Sequence, residues 1–124
     1  MSNFTAVTMA GMLNQFFAGT WHVALYTSMP TVMGGGIELA EPGYSRAEIT
    51  LPTGTSTYRA NTNTVEFPEA QTDWVDILGI GILTASVGGT LRAFHTFDAP
   101  ITISAGMRLY FEPGQIEVGF VGGA

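Results

Sequence analysis

The side chains best suited to chemistry in this chain are two histidines, His22 and His95, three carboxylates, Glu69, Asp73 and Asp76, and a serine, Ser45. Histidine can ligate a metal or carry a proton near neutral pH, but both uses need a second polar group at a fixed spacing. Each histidine lies mid-strand without a flanking His, Asp or Glu at ligand spacing, so both read as ordinary strand residues. A calcium loop needs several oxygen ligands at alternate positions around a turn glycine, and the 69–76 segment has neither. Its carboxylates read as loop solubilisers and a strand-start charge. Ser45, in Gly43-Tyr44-Ser45-Arg46, does not sit in a nucleophile elbow, and no His–acid pair points to it. Gly34-Gly35-Gly36 leads into Ile37-Glu38-Leu39 rather than a helix, so it lacks the context of a phosphate cradle. The sequon Asn3-Phe4-Thr5 is a single match of the kind chance supplies. With no cysteine, the chain has no disulfide, thiol nucleophile or cysteine-ligated zinc. The expectation is a protein that is not an enzyme and holds no cofactor and no metal.

The elements that would have carried such chemistry belong to a chain of 124 residues, a length that fits one domain with one core. Apolar residues reach 46%, an ordinary globular level, despite 16 glycines. The unusual figure is charge: Asp, Glu, Lys and Arg total 11%, against about 25% in typical soluble domains. Lysine is absent, and the arginines are Arg46, Arg59, Arg92 and Arg108. A surface so poor in charge fits a protein whose faces are covered by neighbours in an assembly. A net charge of −6 with four scattered arginines offers no stripe for phosphate, so nucleic acid is not an expected partner. The start lacks the basic region of a signal peptide, and the most apolar window, Ile77 to Ala85, is too short to span a bilayer. No membrane association is expected.

The periodicity begins helical and then changes to two. Met9, Met12, Leu13, Phe16 and Phe17 form one apolar stripe, with Thr5 or Thr8 as a start cap and Gly19 near the end. The stripe fits a helix lying on its own sheet, with an arm that docks on another subunit as the alternative. Trp21, Val23 and Leu25 then alternate with His22, Ala24 and Tyr26 as a half-buried strand. Ser28 to Gly36 is a loop, and Arg46 to Leu51 alternates again with Ala47, Ile49 and Leu51 on one face. Short strands follow at Tyr58–Asn61 and Thr64–Phe67. Trp74 to Leu83 is a near-continuous apolar run, a central strand covered on both sides, with Gly79 and Gly81 on one face where a backbone or large ring packs closely. Ser86-Val87-Gly88-Gly89 is a hairpin turn. Strands at Thr90–Phe97, Pro100–Ile103, Met107–Phe111 and Gln115–Phe120 complete the series. The predicted fold is all-β: a single-domain, jelly-roll-like β-sandwich of about eight short strands, with one N-terminal amphipathic helix. Residues 1–18 form the helix or arm, and 19–124 the sandwich, in one domain.

Several distinct landmarks follow one another along the chain. They are Val23-Ala24-Leu25-Tyr26-Thr27-Ser28-Met29-Pro30, the Gly34–Gly36 run, Gly43-Tyr44-Ser45-Arg46, and Asn61-Thr62. Val65-Glu66-Phe67-Pro68-Glu69-Ala70, Asp73-Trp74, Gly81-Ile82, Ile103-Ser104-Ala105-Gly106-Met107 and Ile116-Glu117-Val118 follow. This order resembles a family of short tailed-phage structural proteins, variously labelled tail-fibre or capsid cement proteins. The likeness runs through almost the whole chain. Met107 stands where the family pattern has an acidic or polar residue, and Met29 where Asp is common.

The resemblance implies a virion structural protein made in the host cytoplasm. A module without fibrous repeats looks like a cement or decoration protein on the capsid exterior, bridging subunits of the major capsid protein. Its implied contacts are Phe4, Phe16 and Phe17 on the helix and the loop Met29 to Gly36, which includes Pro30, Val32 and Met33. Homodimers across two-fold positions are the first choice and trimers the second. The alternative is a tail or baseplate module that binds a host glycan, with Tyr26, Tyr44, Tyr58 or Trp74 lining an exposed groove.

Overall fold

A computed structural model of the chain describes residues 6–55 and 57–119. Among the described residues the chain is all-β apart from one helix, α1 (Ala6–Phe17). Strands β1 (Gly19–Ser28), β2 (Ile37–Glu38), β3 (Ala47–Leu51), β4 (Tyr58–Ala60) and β5 (Val65–Glu66) come first. Strands β6 (Trp74–Leu83), β7 (Leu91–Ile103), β8 (Tyr110–Phe111) and β9 (Glu117–Gly119) follow. The main sheet has the order β2-β1-β6-β7, with β3 also paired to β1, while β4–β9 and β5–β8 form two-stranded sheets. The pairs whose register is defined are antiparallel, as expected of a sandwich-like fold.

The described residues fall into two compact units. One lies within Met1–Trp21, Ile49–Val65 and Phe111–Ala124, and the other within His22–Glu48 and Glu66–Tyr110. In the first unit, Leu13 is the buried residue of the helix stripe, and Met12 and Phe17 are half-buried. Phe17 meets Trp21 at 5.9 Å between ring centroids, and the Trp21 indole donates to the Phe17 carbonyl at 2.9 Å. The helix therefore ends on a contact with the strand that follows it, through Gly19 at φ +109°. Thr8 lies inside the helix and so is not its cap; Thr5 and the side chains of Met9 and Phe16 are outside the described residues.

Polar side chains also tie this unit together. The Asn14 carbonyl oxygen accepts from the Gly54 N–H and from Arg59 Nη2, both at 2.9 Å, while its amide donates to the Gly54 carbonyl at 3.1 Å. Asn61 is buried with a partner on each of its side-chain polar atoms. Its amide donates to the Asn63 and Glu112 carbonyls at 2.7 and 3.0 Å, and its oxygen accepts from the Ile116 N–H at 2.9 Å. A buried amide with partners on each side stabilises two loops at once, which explains an asparagine where an apolar residue would otherwise fit.

The second unit is built on β1, β6 and β7. β6 is central, as its apolar run requires, and its bounds match the sequence reading. Both faces of β1 are covered from Val23 to Tyr26, so the expected half-buried strand is buried on both sides there. Ala24, Tyr26 and Leu83 cluster on one of those faces, with Met29 and Leu91 packed against them. The two glycines of β6 make this packing possible. A Cβ on Gly81 would stand 2.7 Å from the Tyr26 ring, and one on Gly79 would stand 2.2 Å from the His95 carbonyl oxygen. A ring covers one glycine and a backbone the other, as the sequence suggested.

Two differences from the sequence reading have clear causes. The strands expected at Thr90–Phe97 and Pro100–Ile103 are one strand, β7, because Pro100 lies on an edge strand where a missing N–H is tolerated. The register jumps there: Ile77 faces Ile101 while Gly79 faces Thr96, so Phe97 to Pro100 bulge from the ladder. Asp76 is not a simple strand-start charge. It takes φ +54° where β6 shifts register between Trp74 and Ile77, a conformation Asp accepts more readily than most side chains. The strand end proposed at Phe120 lies outside the described residues.

Candidate interaction surface

Tyr44 and Arg46 of the Gly43-Tyr44-Ser45-Arg46 landmark turn onto Glu38, while Ser45 between them is exposed. Arg46 donates to the Glu38 carboxylate twice, from Nε at 2.9 Å and from Nη2 at 2.8 Å. Its remaining nitrogen, Nη1, donates to the carbonyls of Ala85 and Gly88 at 2.7 and 2.8 Å, fixing the hairpin turn between β6 and β7. Tyr44 donates its hydroxyl to Glu38 at 2.5 Å and accepts the Leu25 N–H at 3.1 Å. Its ring stacks on Phe67 and meets Trp74 edge-on.

Charge explains why this cluster is stable in one protonation state. Burial pushes Glu38 upward, but hydrogen bonds from Arg46 and Tyr44 and the Arg46 charge outweigh it, leaving its carboxyl below the usual carboxylate range. Burial and the hydrogen bond to Glu38 push the Tyr44 hydroxyl far above its ordinary value. The hydrogen bond to Glu38 raises Arg46 in turn. The result is a carboxylate, a neutral phenol and a guanidinium held together, with no group poised to exchange a proton near pH 7. Sequence reasoning missed Glu38. Its only signal was an acid eight residues before an arginine, on a segment to which the periodicity assigned no strand.

The other residues considered for chemistry stay apart. His22 is half-buried in β1, and His95 is exposed in β7 beside Phe97. Glu69, Asp73 and Asp76 are exposed, and Asp73 accepts the Ala105 N–H at 2.8 Å. No group of three or more His, Cys, Asp or Glu gathers at metal distance among the described residues. An open depression of about 310 Å³ is lined by Ser45, Arg46, Glu48, Phe67, Pro68 and the exposed Arg108–Glu66 ion pair, among others. It contains no histidine, and Arg46 is already committed to Glu38.

What remains is surface. Thr31 and Gly34 exchange backbone hydrogen bonds at 3.0 and 2.8 Å, so Val32 and Met33 form the two-residue tip of a closed turn. Both are 92% exposed. Gly34, Gly35 and Gly36 all have positive φ, and at Gly36 a Cβ would lie 2.8 Å from the Pro30 nitrogen, so the run is glycine by necessity. Met29 and Pro30, proposed with the tip as contacts, turn inward instead: Pro30 is buried, and Met29 covers Gly79. Phe17 is half-buried against Trp21, and Phe4 and the Phe16 side chain lie outside the described residues. Of the rings considered for glycan stacking, Trp74 and Tyr26 are buried and Tyr44 packs between Phe67 and Trp74. Tyr58 alone of the four is exposed.

A family model described as podophage GP4 fiber I protein gp80 matches residues 3–119. The chain belongs to this family. As a member of the gp80 fiber I family it is a phage structural protein, a component of the virion. No curated protein matches it. The landmarks that carried the sequence resemblance are chiefly those that build the gp80 frame: Tyr44 and Arg46 on Glu38, Asn61 on two loops, and Trp74 in the core. No helix among the described residues is long and apolar enough to cross a membrane.

Proposed function

We propose that this chain is a non-enzymatic cement subunit that binds the outside of the phage capsid and bridges neighbouring major capsid subunits. The observation that carries this reading is the Val32–Met33 tip, two large apolar side chains held in solvent by a closed turn. Burying each against a partner is worth about 1.5–3 kcal/mol, a modest gain that becomes large when repeated around a closed lattice. The charge-poor surface supports the same reading, since few ionised groups need desolvating when faces are covered. The helix is less suited to docking than the tip, because Leu13, Asn14 and Phe17 are engaged within their own unit.

The family's description as a fiber protein favours a second reading, a fibre subunit at the tail. The absence of an internal repeat in the sequence weighs against a fibre shaft. Quantitative mass spectrometry of purified virions separates the two. A copy number comparable to the major capsid protein supports the cement role, and a few copies per particle move the chain to the tail.

A further inference from the structure

We infer that the open depression beside Arg46 is a saccharide site, taking one neutral pyranose ring on Ser45, Pro68, Tyr110 and the Arg108–Glu66 ion pair. Its lining comes from two segments of one unit, Ser45–Glu48 and Glu66–Pro68, together with Arg108. Its volume of about 310 Å³ lies at the small end of the range for ligand sites, room for a single ring. The lining is held from inside the unit. Phe67 stacks on Tyr44, and Arg46 is fixed by Glu38, Ala85 and Gly88, so the depression is formed before any ligand arrives. The Phe67 N–H donates to the Leu109 carbonyl at 3.0 Å and the Ala70 N–H to the Met107 carbonyl at 2.9 Å. The two segments therefore run antiparallel, with Glu66 opposite Tyr110. Arg108, two residues before Tyr110, shares its face and reaches Glu66. The Tyr110 ring, 55% exposed, stands beside the ion pair.

The unspent polar groups select the ligand. Arg108 gives Nη1 to Glu66 Oε1, and neither side chain has another partner among the described residues. Nε and Nη2 of Arg108 remain as donors and Oε2 of Glu66 as an acceptor, and the exposed Ser45 hydroxyl can do either. An anion would find donors in Arg108 but would meet the carboxylates of Glu66 and Glu48, and a cation would meet Arg108. An apolar ligand would leave the whole set without partners. Vicinal hydroxyls fit, because each donates and accepts at once and a neighbouring pair can span a guanidinium and a carboxylate. The C–H face of the same ring then has Pro68 and the Tyr110 ring to lie against. The site uses neither residue of the Val32–Met33 tip and does not rest on attachment to the capsid.

The test is a titration of the isotope-labelled chain with D-glucose, D-galactose, D-mannose and N-acetyl-D-glucosamine, followed by amide resonances. At least one sugar should shift the amides of Ser45–Glu48, Glu66, Phe67, Arg108 and Tyr110, with a Kd of about 1 mM, as suits a small ligand in an open site. Glu66→Gln and Arg108→Leu should each weaken binding by about tenfold, the loss of one charge-assisted hydrogen bond. Tyr110→Ala should weaken it as well, while Tyr110→Phe keeps the ring and the binding. Both charged residues are about half exposed, so an otherwise unchanged spectrum separates a lost contact from a folding defect. Tyr58→Ala, an exposed ring in the other unit, should bind as wild type does. No shift from any of the four sugars at about 100 mM, shifts scattered away from the depression, full binding by Arg108→Leu, or a stronger response to sodium acetate than to any sugar each overturns the site.

Discussion

Arg46 binds Glu38 through two nitrogens and spends its third on the carbonyls of Ala85 and Gly88, so one guanidinium ties β2 to the β6–β7 turn. Lysine has the charge but not the fork, and it cannot serve four acceptors across two directions. Arg46→Lys should therefore destabilise the protein by about 3 kcal/mol, the lower end of the range for breaking a buried pair, because Glu38 keeps 28% of its side chain exposed. Chemical denaturation at pH 7 checks the value, and an Arg46→Lys protein as stable as wild type would reduce the cluster to ornament.

The same cluster sets a pH dependence. Glu38 has a lowered pKa in the folded chain, so its contribution is present above the ordinary carboxylate value and is lost as pH falls through the folded value. Thermal stability should decline below about pH 4.3, and Glu38→Gln, already weaker at pH 7, should show a flatter acid limb. Tyr44 has the opposite sign. Its raised pKa means that its contribution is present below about pH 10 and lost above it. Tyr44→Phe should flatten the alkaline limb in the same melting series.

Gly79 and Gly81 should respond unequally to alanine. At Gly81 the new methyl meets the Tyr26 ring and the tip of Leu91, side chains that can shift, so a cost of about 1–2 kcal/mol is expected. At Gly79 it meets the His95 carbonyl oxygen, and the backbone of β7 must move. Gly79→Ala should cost more than Gly81→Ala, about 3 kcal/mol or above. Equal costs by urea titration would mean that β7 yields as easily as a side chain.

Leu13→Ala should cost about 2–5 kcal/mol, as expected for a buried leucine, and Asn14→Ala should add a loss by leaving the Gly54 N–H without its acceptor. Deleting residues 1–18 should then produce a chain that aggregates or unfolds on expression. A soluble, folded truncation that fails only to decorate shells would restore the helix as a docking arm.

Val32→Ser with Met33→Ser should leave stability within about 0.5 kcal/mol, as for exposed positions away from any packed feature. Binding of the purified protein to virions depleted of it should fall at least tenfold. Full binding by the double variant would remove the tip from the capsid contact.

The strands were legible where the periodicity was long. β6 emerges with the expected bounds, and β3 with the expected faces but starting at Ala47 rather than Arg46, because burial alternates, or is nearly continuous, along them. The close packing at Gly79 and Gly81 could be read because glycine in the middle of an apolar strand has few other uses. The short strands β2, β8 and β9 were harder, since two or three residues hold too little pattern to distinguish them from loop. The surface was the least legible part. Met29, Pro30, Val32 and Met33 are equally apolar in sequence, and only the closed turn between Thr31 and Gly34 sorts the inward pair from the outward one. The Glu38–Arg46 pair depends on folding that sequence spacing does not encode.

The Thr31–Gly34 turn also offers a place to splice in foreign peptide. Its two backbone hydrogen bonds close the tip on itself, and Met29 and Pro30 anchor the loop below it. Extra residues between Val32 and Met33 would lengthen a loop whose ends stay fixed, and each doubling of a flexible loop costs only about 0.6 kcal/mol. Because that tip is the proposed capsid contact, a guest sequence placed there would hold the subunit off the shell while its own fold persists, a way to uncouple folding from attachment.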